Sequence, residues 1–256
     1  MSVVVPVFNS AASLDELCER IATTLDAADE VSEWELILVN DGSRDESWER
    51  VVELGTEHRE VRGLDLTRNW GQHNALLAGI HDARHELVVT LDDDLQNPPE
   101  EIPSLLKAVS GAVDLVYGRP IAKRHARMRR IASRAVRGVV TTITFGRIPT
   151  YVSGFRAFRV ALLHDVDREQ GNTFVLDILL ARAAGGIAAV DVRHDPRRYG
   201  RSNYSLGELG KHAVIELDSL RRLAMGPGGR APSYAVRTTT RVPAEDADMA
   251  GQVAGS

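Results

Sequence analysis

Short apolar runs alternate with amphipathic segments along the first half of the chain. The apolar runs predict strands over residues 2–7, 35–40, 61–67, 86–91 and 113–118. The segments between them predict helices over residues 13–28, 45–58, 72–83 and 99–110, because apolar residues recur every three or four positions. Ser13 and Glu16 resemble a capping box at the start of the first helix. Strands alternating with helices of this length predict a parallel, doubly wound α/β sheet.

Beyond residue 118 the alternation becomes less regular. A Ser-Gly-Phe-Arg sequence lies within residues 151–158 and runs into a short helix, and residues 173–184 and 187–194 predict a helix and a strand. Two longer amphipathic helices are predicted over residues 127–145 and 206–225. The first has a row of arginines, which is typical of a helix at a membrane surface, although a helix packed on the domain with a solvated basic face has the same pattern.

The last part of the chain shows no periodicity. Residues 226–256 are rich in Gly, Pro, Ala and Thr, which predicts a disordered tail. The sequence thus predicts one domain over residues 1–225, followed by this tail.

Composition limits the class of protein and its setting. The chain has 256 residues, 43% hydrophobic and 26% charged, as in ordinary globular proteins. Cys18 is the single cysteine, so an internal disulfide is excluded and we expect a cytoplasmic protein. The first apolar run lacks the basic flank of a secretory signal, and no apolar stretch approaches the roughly 18–20 residues that cross a bilayer. We therefore expect any membrane contact to be peripheral.

Charge is distributed unevenly. The chain has a formal net charge of −5, yet residues 115–164 contain no Asp or Glu and eleven Lys and Arg. Such segregation indicates an anionic partner for this segment, and we do not expect that partner to be a nucleic acid.

Three consecutive carboxylates follow the fourth predicted strand. On an extended chain, Asp92 and Asp94 lie on one side and Asp93 faces away. Two like charges this close repel each other unless a cation lies between them, and Mg²⁺ typically joins a few carboxylates to substrate phosphates. Gln96 comes next on the same side and could add an amide oxygen. The alternative is a solvated acidic turn before the helix that starts near Pro99.

Other polar residues end neighbouring strands of the predicted sheet. Asn9, Asp41 and Arg119 fall at the same edge as the three carboxylates. Ligands of doubly wound sheets bind at this edge. A dinucleotide dehydrogenase or a P-loop ATPase is disfavoured, because neither glycine-rich phosphate motif is present. Residues 197–204 form a flexible, cationic loop that suits phosphate binding.

Six segments in this order resemble family 2 glycosyltransferases, and among them the polyprenyl-phosphate sugar synthases of the dolichyl-phosphate mannose synthase and undecaprenyl-phosphate aminoarabinose transferase type. The segments are residues 4–9, 40–45, 68–73, 91–103, 153–156 and 197–204. They cover residues 2 to about 223. The resemblance implies a GT-A fold with a C-terminal amphipathic helix, and an inverting, metal-dependent transfer from a UDP-, GDP- or dTDP-sugar.

The resemblance also implies roles for individual residues. The donor-binding residues would be Pro6, Phe8, Asn9, Asp41, Asp93 and Ser202. The ligands of Mg²⁺ or Mn²⁺ would be Asp92, Asp94 and Gln96. The residues that act in catalysis would be Asp94, Arg119, Arg156 and Arg197, with Arg119, Arg197 and Ser202 meeting phosphates and Arg156 beside the reacting sugar.

The chain departs from the family pattern at several points. Ser10 and Asn203 replace an acidic residue and a lysine, and the transmembrane helices of many relatives are absent. Thr150 stands where many relatives have Asp, and a hydroxyl cannot act as a general base. A phosphate acceptor needs no base, since its second pKa is about 6. We therefore expect a polyprenyl-phosphate acceptor, met at an anionic inner membrane face. The alternatives are a hydroxyl of a saccharide or small natural product, and an inactive nucleotide-sugar-binding protein.

Overall fold

A computed structural model describes residues 1–121, 153–163, 176–199 and 234–240. The helices predicted over residues 127–145 and 206–225 lie outside these ranges, as do Thr150 and Ser202. Within the described residues the predicted alternation of strands and helices is confirmed.

The strands and helices of the described residues have the following bounds. The strands are β1 (Ser2–Val7), β2 (Glu35–Asn40), β3 (Val61–Leu66), β4 (Leu87–Thr90), β5 (Leu115–Pro120), β6 (Arg156–Arg159), β7 (Ile187–Val192) and β8 (Val236–Thr239). The helices are α1 (Ala11–Asp26), α2 (Ser47–Glu57), α3 (Gln72–Asp82), α4 (Ile102–Ala108) and α5 (Leu176–Ala183). Single 3-10 turns occupy Pro99–Glu101 and Val160–Leu163.

The eight strands form one sheet in the order β7-β5-β6-β4-β1-β2-β3-β8. Strand β1 pairs in parallel with β2 and β4, β2 with β3, and β5 with β7. Strand β6 runs antiparallel between β4 and β5, and β8 runs antiparallel on the outer side of β3. The carboxyl ends of β1 to β5 therefore lie along a single edge.

Apolar side chains cover both faces of the sheet. One core joins Val3 and Val5 of β1 to Leu17 and Ile21 of α1, and it continues under α2 and α4. The other joins Val4 to α3 and α5. Strand β1 lies in the middle and is buried along its whole length, which is why it is a continuous apolar run.

Three local predictions differ from the structure. Helix α1 begins at Ala11, and Ser13 lies inside it with its hydroxyl donating to the carbonyl of Ser10, so the capping box is wrong. Residues 156–159, within and just after the predicted Ser-Gly-Phe-Arg segment, form strand β6. Residues 236–239, within the predicted tail, form strand β8. Among the described residues, no helix has the length and apolar character needed to cross a membrane.

Candidate active site

The loops after β1 and β2 are joined by hydrogen bonds. The backbone N–H of Asn9 donates to the hydroxyl of Ser43 at 3.0 Å, and the Asn9 side-chain oxygen accepts from the N–H of Arg44 at 2.8 Å. Asn9 and Gly42 have positive φ angles of 54° and 68°. At Gly42 a side chain would also collide with the backbone of Asn69, since a Cβ would lie 2.5 Å from its nitrogen. The two predicted donor-binding loops therefore form one unit.

Asp41 holds the next loop along the same edge. Its two carboxylate oxygens accept the N–H groups of Trp70 at 2.6 Å and Gly71 at 2.9 Å, and the residue is only 3% exposed. Burial raises the pKa of Asp41 to about 6, and the two backbone hydrogen bonds oppose this shift. Asp41 thus fixes the turn before α3, while it was predicted to contact the nucleoside.

The three predicted carboxylates follow β4 and have separate partners. Asp92 accepts a hydrogen bond from the side chain of Gln72 at 2.6 Å. Its pKa is raised to about 6, first by burial and then by the negative charges of Asp94 and Asp93. The charge of Arg156 and the bond from Gln72 act in the opposite direction. Asp92 and Asp94 are therefore close enough to repel each other, as the sequence predicts.

Asp93 faces the loop after β1. It accepts hydrogen bonds from the backbone N–H of Phe8 at 3.2 Å and from the hydroxyl of Ser10. Burial raises the pKa of Asp93, and both bonds lower it. A carboxylate at position 10 would meet Asp93 as a like charge, so the hydroxyl of Ser10 is matched to this contact.

Asp94 and Gln96 lie in a turn that the alternation rule does not describe. The chain leaves extended geometry after Asp92, and Leu95 has a φ of 58°. One oxygen of Asp94 accepts the N–H of Gln96 at 3.0 Å, and the other accepts from the guanidinium of Arg197 at 2.7 Å. Strict alternation therefore does not describe Gln96, which is half-buried in the same turn.

Arg197 belongs to a segment, residues 193–199, that we call the strap. The strap crosses the turn formed by residues 92–96, which we call the acidic turn. The backbone N–H of Asp195 donates to the carbonyl of Gln96 at 2.8 Å. Glu16 of α1 accepts from Arg198 at 3.1 Å and from the hydroxyl of Tyr199 at 2.9 Å. The described part of the predicted flexible loop is thus attached by polar contacts, and the rest of it lies outside the described residues.

Arg156 is buried beneath the acidic turn. It is 1% exposed, pairs with Asp177 of α5, and donates from Nε to the hydroxyl of Thr90 at 3.0 Å. The hydroxyl of Tyr117 also donates to Asp177, at 3.1 Å. This network places Arg156 where its charge acts on Asp92 through space, while it was predicted to lie beside the reacting sugar.

The predicted site residues Arg119 and Pro6 lie at other points of the sheet. Arg119 lies at the end of β5, where it pairs with Asp191 across the strand register at 2.5 Å. Pro6 is buried inside β1. Strand β4 pairs with β1 only as far as Val4, so the missing N–H of Pro6 falls beyond the last pair.

The residues at the acidic turn fit a divalent cation. In the described part of the chain, no three His, Cys, Asp or Glu side chains are grouped as a metal site. The donors at hand are Asp92 and Asp94, with Gln96 in the same turn, and all three offer the oxygen ligands that Mg²⁺ and Mn²⁺ prefer. Burial, and then the negative charges of Asp94 and Asp93, raise the pKa of Asp92, and a bound cation would oppose this shift. Two carboxylates leave room for ligands from a bound diphosphate.

Sequence reasoning missed several partners of the site. Ser10 was interpreted as a departure from the family pattern, and neither Gln72 nor Asp177 was among the predicted site residues. Gln72 could have been found, because it begins a helix that follows a strand end at the same edge. Asp177 offered no such signal, since it comes from a distant helix.

Comparisons with known proteins agree with this geometry. The sequence profile of Glycosyl transferase family 2 matches residues 2–167. The undecaprenyl-phosphate 4-deoxy-4-formamido-L-arabinose transferases of Photorhabdus laumondii and Proteus mirabilis are 35% and 36% identical over 211 and 210 residues. Each alignment covers 82% of this chain and 64% of the relative. The chain thus spans less than two thirds of the length of these relatives.

Solved structures show the same fold. Glucosyl-3-phosphoglycerate synthase from Mycobacterium tuberculosis, in complex with Mn²⁺, UDP and phosphoglyceric acid, superposes with a TM-score of 0.64 at 22% identity, covering 89% of this chain and 79% of that one. The same enzyme with Mg²⁺ and UDP gives 0.63 at 21% identity, covering 89% and 80%. The predicted GT-A fold is confirmed. Since the family profile covers well over half of the sequence, the chain belongs to glycosyl transferase family 2.

Proposed function

We propose that the protein is an inverting, metal-dependent glycosyltransferase that moves a sugar from a nucleotide diphosphate to a polyprenyl phosphate. The observation that carries this proposal is the acidic turn. Asp92 and Asp94 repel each other at the carboxyl edge of a GT-A sheet, and the guanidinium of Arg197 already neutralises one of them. A site of this kind suits a cation together with a diphosphate.

The chain's own residues would divide the work as follows. Asp92 and Asp94 would hold the cation, and Gln96, in the same turn, would add an amide oxygen. The bound cation would stabilise the charge that develops on the leaving diphosphate. Arg197 would exchange its contact with Asp94 for a diphosphate oxygen, because a guanidinium binds either anion through the same donors.

The deeper residues would position the carboxylates. The buried pair of Arg156 and Asp177 holds Thr90, and Thr90 donates to the carbonyl of Gly154 at 2.7 Å. Gly154 in turn lies against Asp92, since a Cβ on that glycine would be 3.1 Å from a carboxylate oxygen. This packing would limit the movement of Asp92 as the diphosphate leaves.

The acceptor is proposed from the relatives and from charge. The relatives named above are undecaprenyl-phosphate sugar transferases, at 35% to 36% identity. Residues 115–164 contain eleven basic and no acidic side chains, which suits a phosphate that arrives as a dianion. We propose that the enzyme meets this acceptor at the anionic inner surface of a membrane.

A transfer assay tests the function. Purified protein with Mn²⁺ or Mg²⁺ is offered UDP-, GDP- and dTDP-sugars, each with polyprenyl phosphate or with the matching polyprenol, and products are detected by mass spectrometry. We expect transfer to the phosphate and loss of turnover in Asp94→Asn. The matched control is Asp29→Asn, an exposed residue in the turn between α1 and β2, which should keep wild-type turnover.

Different results would refute the metal site, the acceptor and the membrane surface. Turnover retained by Asp94→Asn, or by wild type in excess EDTA, would refute the metal site. Transfer to the alcohol but not to the phosphate would refute the acceptor. Failure to bind vesicles of anionic lipid at low salt would count against the membrane surface.

A further inference from the structure

Hydrogen bonds attach strand β8 to the edge of the sheet at β3. This strand lies near the loops after β1 and β2, which we call the donor loops. The N–H of Thr67 donates to the carbonyl of Ala235 at 2.9 Å, and the N–H of Gly63 donates to the hydroxyl of Thr240 at 2.7 Å. The hydroxyl of Tyr234 lies 2.7 Å from Nδ1 of His81. This short segment lies outside residues 2–167, which the family profile matches.

The strand brings one cation to a buried carboxylate. Arg237 donates from Nη1 to Asp65 at 3.2 Å and from Nη2 to the carbonyl of Thr67 at 2.9 Å. Asp65 is 3% exposed, whereas the side chain of Arg237 is 62% exposed. A charge as buried as that of Asp65 needs a paired cation or several hydrogen bonds, and Arg237 supplies the cation.

Hydrogen bonds connect Asp65 to the loops after β2 and β1. Its other oxygen accepts from the side-chain nitrogen of Asn40 at 2.7 Å. With its nitrogen held there, Asn40 turns its oxygen towards the N–H of Ser43, which donates at 3.2 Å. The hydroxyl of Ser43 then accepts the N–H of Asn9 at 3.0 Å. A continuous chain of polar contacts thus runs from Arg237 to the loop after β1.

We propose that Arg237 is a positioning residue for the nucleoside part of the donor, acting through Asp65 and Asn40 on the loop at Ser43. This inference rests on the proposed function, because it assumes that a nucleotide binds at these loops. The guanidinium of Arg237 holds the carboxylate of Asp65 in place. Asp65 then fixes the amide of Asn40, and the amide fixes the loop in the conformation that receives the ligand.

Two substitutions separate charge from structure. Arg237→Gln removes the charge but can still donate to the carbonyl of Thr67, and Arg237→Lys keeps the charge. The control is Arg59→Ala, an exposed arginine that pairs with its neighbour Glu60 at 2.6 Å. Nucleotide binding is measured by titration calorimetry in the presence of Mn²⁺. UDP, GDP and dTDP are first tested on the wild-type protein, and the variants are then compared with the nucleotide that the wild type binds most tightly.

We expect Arg237→Gln to weaken nucleotide binding about five- to tenfold, and we expect Arg237→Lys and Arg59→Ala to stay within about twofold of wild type. On an Asp65→Asn background the Arg237→Gln change should have no further effect, because the charge that it neutralises is gone. Equal binding by wild type and Arg237→Gln would overturn the inference and leave the proposed function standing. An equal loss in both backgrounds would also overturn it, since Arg237 would then act through another route.

Amide hydrogen exchange gives a readout that needs no nucleotide. The N–H of Ser43 is bonded to Asn40, so Arg237→Gln should speed its exchange several-fold, while the N–H of Asp41, bonded to the carbonyl of Val7, should be unchanged. Unchanged exchange at Ser43 would overturn the inference. If wild type binds none of the three nucleotides, the proposed function fails, and that failure is distinct because the exchange result does not depend on it.

Discussion

Replacing Arg197 by glutamine is expected to tighten the binding of a bare divalent cation and to weaken the binding of a nucleotide diphosphate. The guanidinium lies 2.7 Å from Asp94, so it occupies an oxygen that a cation would need. Removing its charge frees that oxygen. In the same variant, a diphosphate loses the cation that we propose it to contact.

The contact with Asp94 sets the size of the first effect. The side chains of Arg197 and Asp94 are 32% and 12% exposed, so solvent screens the pair only in part. A charge-assisted hydrogen bond in such a place contributes about 1–2 kcal/mol, which corresponds to a roughly 5- to 30-fold gain in cation affinity. The lost contact with diphosphate should raise the Kd of the nucleotide about tenfold or more.

The assay is titration of Mn²⁺ by electron paramagnetic resonance, without and with UDP or GDP. Arg198→Gln is the matched control, because Arg198 lies on the same strap and pairs with Glu16 at 3.1 Å. It should change neither affinity by more than about twofold. Weaker or unchanged Mn²⁺ binding by Arg197→Gln in the absence of nucleotide would refute the exchange of partners.

Three further predictions follow from packing and from charge. Gly79→Ala should lower the free energy of unfolding by about 1–3 kcal/mol in urea denaturation, because its Cβ would lie 2.4 Å from a methyl of Val4, whereas Gly111→Ala, in open space, should have little effect. Asp41→Asn should be destabilising by about 1–3 kcal/mol, since an amide can accept only one of its two backbone N–H groups; stability equal to wild type would contradict this. Burial and like charge raise the pKa of Asp92 to about 6, so its carboxylate is available to a cation above that pH. Mn²⁺ affinity without nucleotide should therefore fall about tenfold per pH unit below 6, and a flat profile from pH 7 to 5 would contradict the shift.

The parallel strands of the sheet could be predicted from the sequence. The runs that became β1 and β2 are buried on both faces, so they appear as unbroken apolar segments whose bounds agree with the structure. The carboxyl ends of such strands share an edge, so the sequence predicts that Asn9, Asp41 and the acidic turn lie along that edge.

The antiparallel strands could not be predicted in the same way. Strand β6 begins and ends with arginine, and all four residues of β8 are exposed, so neither has an alternating pattern. The Val-Arg-Thr-Thr of β8 has strand propensity, but it is set in a Gly- and Pro-rich stretch, and pairing with β3 decides its structure.

The roles of single side chains were the least predictable part of the site. Asp41 and Arg156 are in the expected region, yet their partners are a backbone turn and an acid on α5. Such partners come from elements far apart in sequence, and no local pattern names them. The alternation rule failed at Gln96 because the chain turns at Leu95.

The antiparallel direction of β6 determines where the segment between β5 and β6 begins and ends. The chain leaves β5 and enters β6 at the same edge of the sheet, so residues 122–152 are tied at both ends to the edge that carries the acidic turn. This segment contains eight of the eleven Lys and Arg found between residues 115 and 164. The loops that we propose to receive the donor belong to the contiguous first 121 residues. Substitutions between residues 122 and 152 can therefore change the charge that an acceptor meets without altering the loops after β1 and β2.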